Sequence, residues 1–294
     1  MTPMSKTIIF FGTDTFSADA LRALIAADYV IGAVVTKPDS KSGRGQHVTA
    51  PLVKQIALEH KIPVWQPTKL IDITNDVLAL GDVVGVLSSY GRIIPQAIID
   101  LFRPGIINIH PSLLPTYRGP SPIETAIANG DTRTGVSIMQ LTAEMDAGPV
   151  YAQEVYELDG TETAPALQET LSALGGRMLI ETLPGIIEGN LLPTPQSDAA
   201  IFCYLLKKED AYLDPEEITA VQAERHVRAY LEFPKTKMTI LGQQVIITKA
   251  HVASTSESAM DVAFKEGQFL AIDELVGPSG RKMSASDFLN GYST

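Results

Sequence analysis

The fold of the first part of the chain is decided by residues 7–36, TIIFFGTDTFSADALRALIAADYVIGAVVT. The stretch opens on an apolar run that ends at Gly12, and from Phe16 onward apolar residues recur every three or four positions. These two patterns are typical of a strand and of an amphipathic helix. A second apolar run, Tyr29–Thr36, follows and predicts another strand. The opening stretch therefore predicts a strand, a helix and a second strand in succession.

The same alternation continues as far as residue 141. Apolar strands that alternate with helices indicate a mostly parallel sheet covered by helices on both faces, as in a Rossmann-like α/β fold. Sheets of this kind bind ligands beyond the carboxyl ends of their strands. Further strands are predicted at Ile62–Trp65, Asp82–Ser88, Gly105–His110 and Gly135–Leu141, and helices at Pro51–His60 and Ile94–Leu101.

The texture of the sequence changes after a long helical pattern over Leu167–Ile187. Gly189–Ser197 is polar and rich in proline, which is typical of a linker. Beyond it, one helical stretch and several short apolar runs with glycine turns indicate a small β-rich domain. We expect a first domain over residues 1–188, a linker over 189–207 and a second domain over 208–294.

Composition excludes several classes of protein. The chain has 294 residues, a net charge of −11 and one cysteine, Cys203. A lone cysteine forms no internal disulfide and no cysteine-pair zinc site, and it favours a reducing compartment. The negative charge argues against a generally cationic nucleic-acid coat but leaves room for a local basic face. The apolar run Ile8–Phe11 is far too short for a signal peptide or a membrane span, so we expect a cytoplasmic protein.

Asn108 and His110 are the first candidates for chemistry. Because side chains alternate along a strand, both point to the same face of the predicted strand. Pro111 cannot donate to a ladder, so the strand is expected to end there. An amide and an imidazole would then stand together where open α/β sheets bind ligands, although a histidine packed at a strand end fits these residues equally well.

Asp146 is the third candidate, in a turn that follows the next predicted strand and contains Gly148 and Pro149. The carboxylate either bonds to its own turn or lies beside His110 and stabilises the imidazolium. An amide, an imidazole and a carboxylate suit direct attack of an amine on an acyl group. Ser112 lacks a nucleophile-elbow context, which disfavours a serine hydrolase. The histidines show no metal-ligand spacing and no glycine-rich phosphate loop is present, which disfavours metal and nucleotide sites.

These residues resemble a known family. The run Asn108-Ile-His-Pro-Ser-Leu-Leu-Pro115, then Tyr117-Arg-Gly119, then Asp146 in Met-Asp-Ala-Gly-Pro, is similar to the 10-formyltetrahydrofolate-dependent formyltransferases. Narrower motifs resemble the branch that acts on methionyl-tRNA. They include Lys37-Pro-Asp with Gly43-Arg-Gly45, and Thr134-Gly-Val-Ser-Ile-Met-Gln-Leu141.

The resemblance implies a role for each candidate. Asn108 would bond to the formyl oxygen, His110 would stabilise the tetrahedral oxyanion, and Asp146 would orient His110 and assist proton transfer. The co-substrate would be 10-formyltetrahydrofolate, with no metal. Residues implied to bind the co-substrate are Tyr90, Gly91, Arg92, Ile93, Ile94, Ser112, Leu113, Leu114, Pro115, Thr142, Ala143, Glu144 and Met145.

The resemblance also implies the acceptor, methionyl-initiator tRNA, and an OB-like C-terminal barrel that contacts it through backbone charge. The protein is expected to be a monomer with no membrane partner. Pro215 and Phe233 depart from the family's pattern in this second domain. Residues implied to bind tRNA are Lys41, Arg44, Lys207, Lys208, Lys235 and Lys237.

Three other functions stay open on the sequence. A sugar-nucleotide N-formyltransferase would share the catalytic residues and differ in the acceptor surface. A hydrolase that releases tetrahydrofolate would use water as the acceptor. An inactive folate or RNA binder would keep the fold without turnover.

Overall fold

The computed structural model describes residues 6–42 and 47–292. Two compact units make up the described chain. The first lies within residues 1–120, 135–156 and 168–202, and the second within 121–134, 157–167 and 203–294.

Within residues 6–42 and 47–157 the structure has nine strands, and seven of them form one sheet. The remaining two form a separate antiparallel pair. The nine are β1 (Thr7–Phe11), β2 (Ile31–Val35), β3 (Ser40–Ser42), β4 (His47–Thr49), β5 (Val64–Trp65), β6 (Val83–Ser88), β7 (Ile106–His110), β8 (Arg133–Gln140) and β9 (Val150–Glu157).

The order of the large sheet is β5-β2-β1-β6-β7-β8-β9. The pairs from β5 to β7 are all parallel, whereas β8 runs antiparallel to β7. Strands β1, β6 and β7 are buried along almost their whole length, as expected for a parallel sheet covered on both faces. The helices are α1 (Thr15–Ala26), α2 (Leu52–Glu59), α3 (Thr74–Ala79), α4 (Gln96–Ile99), α5 (Pro122–Asn129) and α6 (Ala164–Ile187).

Local sequence explains where α1 begins. The Asp14 side chain accepts a hydrogen bond from the Ser17 backbone N–H at 3.3 Å, so it caps the helix. Ile9 and Phe11 of β1 then pack in a core cluster with residues of β6, α4 and β7, and this cluster also contains Tyr90. The capped start of α1 follows the carboxyl end of β1, which is the edge of the sheet where ligands are expected to bind.

The second unit contains a five-stranded antiparallel sheet. Register shifts occur in its longest strand between Ile247 and Ala250, and such irregularities bend a strand. The curled sheet forms a half-barrel whose core includes Val227 and Phe288 from two helices. Its elements are α7 (Ala220–Ala229), β10 (Lys237–Ile240), β11 (Gln243–Ala253), β12 (Val262–Ala263), β13 (Phe269–Val276), β14 (Lys282–Ser284) and α8 (Ala285–Tyr292).

The predicted fold is confirmed: a mostly parallel Rossmann-like sheet with helices, followed by a smaller curled β domain. The sequence did not predict several of the elements; these are β3, β4, β9, β12, β14, α3, α5 and α8. Within residues 6–42 and 47–292, no helix combines the length and the apolarity that are needed to cross a membrane.

Candidate active site

Asn108 and His110 lie on β7 on either side of Ile109, and each is 5% exposed. The strand is paired with β6 on one side and β8 on the other, so its backbone is held rigidly. In the part of the chain that the structure describes, the Asn108 carboxamide makes no side-chain hydrogen bond. A nearly buried amide without a partner is available to a ligand.

The ring of His110 is held by a backbone carbonyl. Nε2 lies 2.9 Å from the carbonyl oxygen of Tyr117. Because a carbonyl oxygen can only accept, Nε2 carries a hydrogen and donates it. Nδ1 is then the ring atom that is free to receive a proton.

The carboxylate of Asp146 faces that second ring nitrogen. Nδ1 of His110 and Oδ2 of Asp146 are 3.8 Å apart, and the two side chains are 6% and 16% exposed. This distance is too long for a hydrogen bond but suits a charge pair with an imidazolium. An imidazolium at this position would stand beside the negative charge of the Asp146 carboxylate.

Asp146 reaches His110 through a turn that only particular residues permit. Because β8 is antiparallel to β7, Leu141 N–H donates to the carbonyl of Ile106, at the start of β7 rather than at its end. The chain then returns to His110 over a few residues. Asp146 has a φ of +47°, and a Cβ at Gly148 would lie 1.8 Å from the carbonyl oxygen of Gln140.

One short segment, residues 117–119, holds the side chains of both His110 and Asp146. Tyr117 supplies the carbonyl that binds His110, and the Gly119 N–H donates to Asp146 Oδ2 at 2.9 Å. Tyr117 and Gly119 have φ values of +59° and +126°, so the segment is sharply turned. The imidazole and the carboxylate are therefore fixed by neighbouring backbone groups of the same loop.

The first predicted co-substrate segment, residues 90–94, divides into buried and exposed positions. Tyr90 is fully buried edge-on against Phe11 at 5.8 Å, and burial raises the pKa of its hydroxyl. Ile94 is buried as well. Gly91 and Arg92 are exposed, and Ile93 is 85% exposed. The Arg92 guanidinium donates to the carbonyls of residues 67 and 68, so it braces the loop.

The second predicted segment, Ser112–Pro115, is braced from below by β8. Ser112 Oγ donates to the carbonyl of Thr116 at 2.6 Å, and Ser137 Oγ donates to the carbonyl of Ser112 at 2.6 Å. Ser112 and Leu114 are buried, while Leu113 and Pro115 are partly exposed. Ser137 was not foreseen as a site residue. It belongs to the motif Thr134–Leu141, which carries part of the family resemblance.

The third predicted segment, residues 142–145, is open to solvent. Ala143 and Glu144 are exposed, Met145 is 57% exposed, and Thr142 Oγ1 donates to the carbonyl of Glu144. Thr142 also lines a cavity of about 210 Å³ with Leu141 and Phe102. Exposed apolar side chains on this segment and at Ile93 offer contact area for a flat, partly apolar ligand.

The predicted tRNA-binding residues lie partly outside the described part of the chain. Arg44 and the side chain of Lys41 fall outside it. In the second unit Lys207, Lys208 and Lys235 are exposed. Lys237 is half-buried, with its Nζ 5.4 Å from the centroid of the Tyr212 ring.

Comparison with known proteins places the chain in a class. Residues 5–183 match the family model described as formyl transferase, and residues 205–293 match the model described as formyl transferase, C-terminal domain. The chain therefore belongs to the formyl transferase family, which confirms the resemblance.

Individual relatives carry a narrower name than the family model does. The methionyl-tRNA formyltransferase of Myxococcus xanthus is 38% identical over 97% of this chain and 95% of its own length. That of Chloroflexus aurantiacus is 39% identical over 97% and 96%. Both matches extend over both domains.

Solved structures share the fold at lower identity. The sugar 3N-formyl transferase WlaRD, solved with dTDP and 5-N-formyl-THF, has a TM-score of 0.69 and 19% identity over 91% of this chain and 97% of its own. HypX from Aquifex aeolicus in complex with tetrahydrofolic acid has a TM-score of 0.64 and 18% identity, over 98% of this chain and 47% of its own. At these identities the likeness shows the fold alone.

Proposed function

We propose that this chain transfers the formyl group of 10-formyltetrahydrofolate to the α-amino group of methionyl-initiator tRNA. The observation that carries the proposal is that His110 Nδ1 lies 3.8 Å from Asp146 Oδ2 at the end of the strand that also holds Asn108, in a chain of the formyl transferase family. Relatives named methionyl-tRNA formyltransferase match both domains, which supports the acceptor.

The chain's own residues fit a formyl donor. Asn108 offers an amide hydrogen to the formyl oxygen, whose negative charge grows as the amine attacks. The exposed side chains of Ile93 and Met145 would cover the apolar part of the donor. The segments 90–94, 112–115 and 142–145 would hold it.

His110 and Asp146 handle charge and protons. The new C–N bond forms as the amine adds to the formyl carbon to give a tetrahedral intermediate. His110 takes the amine proton on Nδ1 beside the Asp146 carboxylate, 3.8 Å away, and the resulting imidazolium stabilises the oxyanion. The proton passes to the departing N10 as the old C–N bond breaks. Because the amine attacks the formyl carbon directly, no covalent enzyme intermediate forms.

Six cations would bind the tRNA backbone: Lys41, Arg44, Lys207, Lys208, Lys235 and Lys237. Lysine and arginine bind phosphate without reading sequence. We further propose that the protein acts as a monomer in the cytoplasm, where its acceptor takes part in translation. Domain limits at 1–188, 189–207 and 208–294 belong to the same proposal.

The decisive assay offers the purified protein 10-formyltetrahydrofolate and four acceptors in parallel. These are methionylated initiator tRNA, methionylated elongator tRNA, a dTDP-amino sugar and water alone. We expect formylation of the initiator tRNA in preference to the others. Turnover of the sugar without the tRNA, release of tetrahydrofolate without an acceptor, or folate binding without turnover would each overturn the proposal.

A further inference from the structure

Gln196 contacts the turn that carries Asp146, although the sequence around Gln196 is typical of a linker. It lies after α6 in a polar, proline-rich stretch that reads as a linker. Two backbone hydrogen bonds of 2.8 Å between Val150 and Thr194 nevertheless fasten this stretch to β9. The side chain of Gln196 is thereby brought beside the turn that carries Asp146.

Both hydrogens of the Gln196 amide are used on that turn. Nε2 donates to the carbonyl oxygen of Asp146 at 2.8 Å and to that of Gly148 at 2.7 Å. The Nε of Arg118 donates to Gln196 Oε1 at 3.0 Å. Because arginine can only donate, this contact fixes which end of the amide is oxygen and aims the NH₂ group at the two carbonyls.

The turn needs such an anchor. Asp146 is held in the left-handed region at a φ of +47°, which costs a non-glycine residue free energy unless its surroundings impose it. Its side chain has one described backbone donor, the Gly119 N–H, and it stays 3.8 Å from the His110 ring. Two hydrogen bonds to the backbone on either side of residue 147 therefore set where the carboxylate stands.

We infer that Gln196 is a positioning residue for formyl transfer, which acts by holding Asp146 against His110. The inference rests on the proposed function. Arg118 serves Gln196 in turn, so a chain of polar contacts runs from Arg118 through Gln196 to the Asp146 backbone. Gln196 itself contacts neither Asn108 nor His110 among the bonds described, and its effect on the rate passes through the carboxylate.

Gln196→Met tests the inference, because methionine keeps the length of the side chain and removes both donors. Gln196 lines a cavity of about 370 Å³, so the change does not overpack the core. Gln196→Glu is the second variant, since it keeps the shape and faces the two carbonyls with an acceptor. Ser197→Ala, at an exposed neighbour that lines the same cavity, is the matched control.

We expect a fall in kcat of about 10- to 100-fold in Gln196→Met, since a displacement of about 1 Å has effects of this size. The KM values for both substrates and the melting temperature should stay close to those of the wild type. Ser197→Ala should resemble the wild type. A kcat within twofold of the wild type in a folded Gln196→Met protein would overturn the inference. If that variant does not fold, the same criterion applies to Gln196→Glu.

A double-mutant cycle separates positioning from general support. In an Asp146→Ala background, Gln196→Met should cause no further loss of kcat, because its only route to the reaction has been removed. Independent, multiplicative losses would contradict the inference. If the wild type itself does not formylate methionyl-tRNA, the proposed function fails; if the wild type is active and the cycle is multiplicative, the role of Gln196 alone fails.

Discussion

Replacing Gly148 by alanine is expected to slow formyl transfer about 100-fold. An alanine Cβ at this position would lie 1.8 Å from the carbonyl oxygen of Gln140. Real Cβ contacts are almost never shorter than 3.0 Å, so the backbones must separate by more than 1 Å. The strand cannot give way easily, because Gln140 is paired with Ile107 of β7 and the next residue, Leu141, donates its N–H to the carbonyl of Ile106 at 2.8 Å. The turn that carries Asp146 must therefore move instead.

The size of the effect follows from that displacement. Asp146 is two residues from Gly148, and its Oδ2 is 3.8 Å from His110 Nδ1. A shift of about 1 Å in a catalytic group costs roughly 10²-fold in rate. The strain itself should lower the free energy of unfolding by about 1–3 kcal/mol, which a domain of ordinary stability tolerates.

The assay is steady-state formylation of methionyl-initiator tRNA, with thermal unfolding measured on the same samples. Gly291→Ala is the control, since that glycine lies in α8 and has nothing within 4 Å of an added Cβ. The control should keep wild-type kcat. A Gly148→Ala protein that is folded and keeps its kcat within twofold would refute the argument that this turn places Asp146.

Two further predictions concern other parts of the molecule. Arg44→Ala should raise the KM for tRNA and flatten the dependence of binding on salt, because a phosphate contact releases counterions; an unchanged salt slope would remove Arg44 from the interface. In the second unit, burial raises the pKa of Glu124 above its ordinary value of 4.5, and the charge of Glu232 raises it further. The folded state then holds the proton more tightly than the unfolded chain, so stability falls as pH rises from the ordinary pKa through the raised one. Glu124→Gln should therefore raise the melting temperature at about pH 7 and leave it almost unchanged below about pH 4; equal shifts at both pH values would contradict this.

Much of the fold could be predicted because the strands of a parallel sheet are continuous apolar runs. Residues 7–11 and 83–87 are of this kind, and both lie in buried strands. Strand β9 escaped notice because it is half-exposed and carries polar residues such as Gln153 and Glu154. The sequence does not alternate between apolar and polar residues in step with exposure, because Val155 is exposed and Glu154 is half-buried, so the strand gives no period-two signal.

The site was predictable to the extent that it is local. The period of a strand places Asn108 and His110 on one face, and a proline stops the strand after them. The distance from His110 to Asp146 was not predictable, because it depends on an antiparallel strand that leads the chain away and a turn that brings it back. Gln196 was missed for a related reason, since polar, proline-rich sequence does not show whether it is fastened to a neighbouring strand.

The most direct test of the central claim is the single-turnover rate of formyl transfer to methionyl-initiator tRNA by wild type and Asn108→Ala, with both substrates saturating. Loss of one donor to a developing oxyanion costs about 2.7–4 kcal/mol, so the rate should fall by roughly 10²–10³-fold in a protein that stays folded. A folded Asn108→Ala protein that transfers the formyl group within twofold of the wild-type rate would contradict the account.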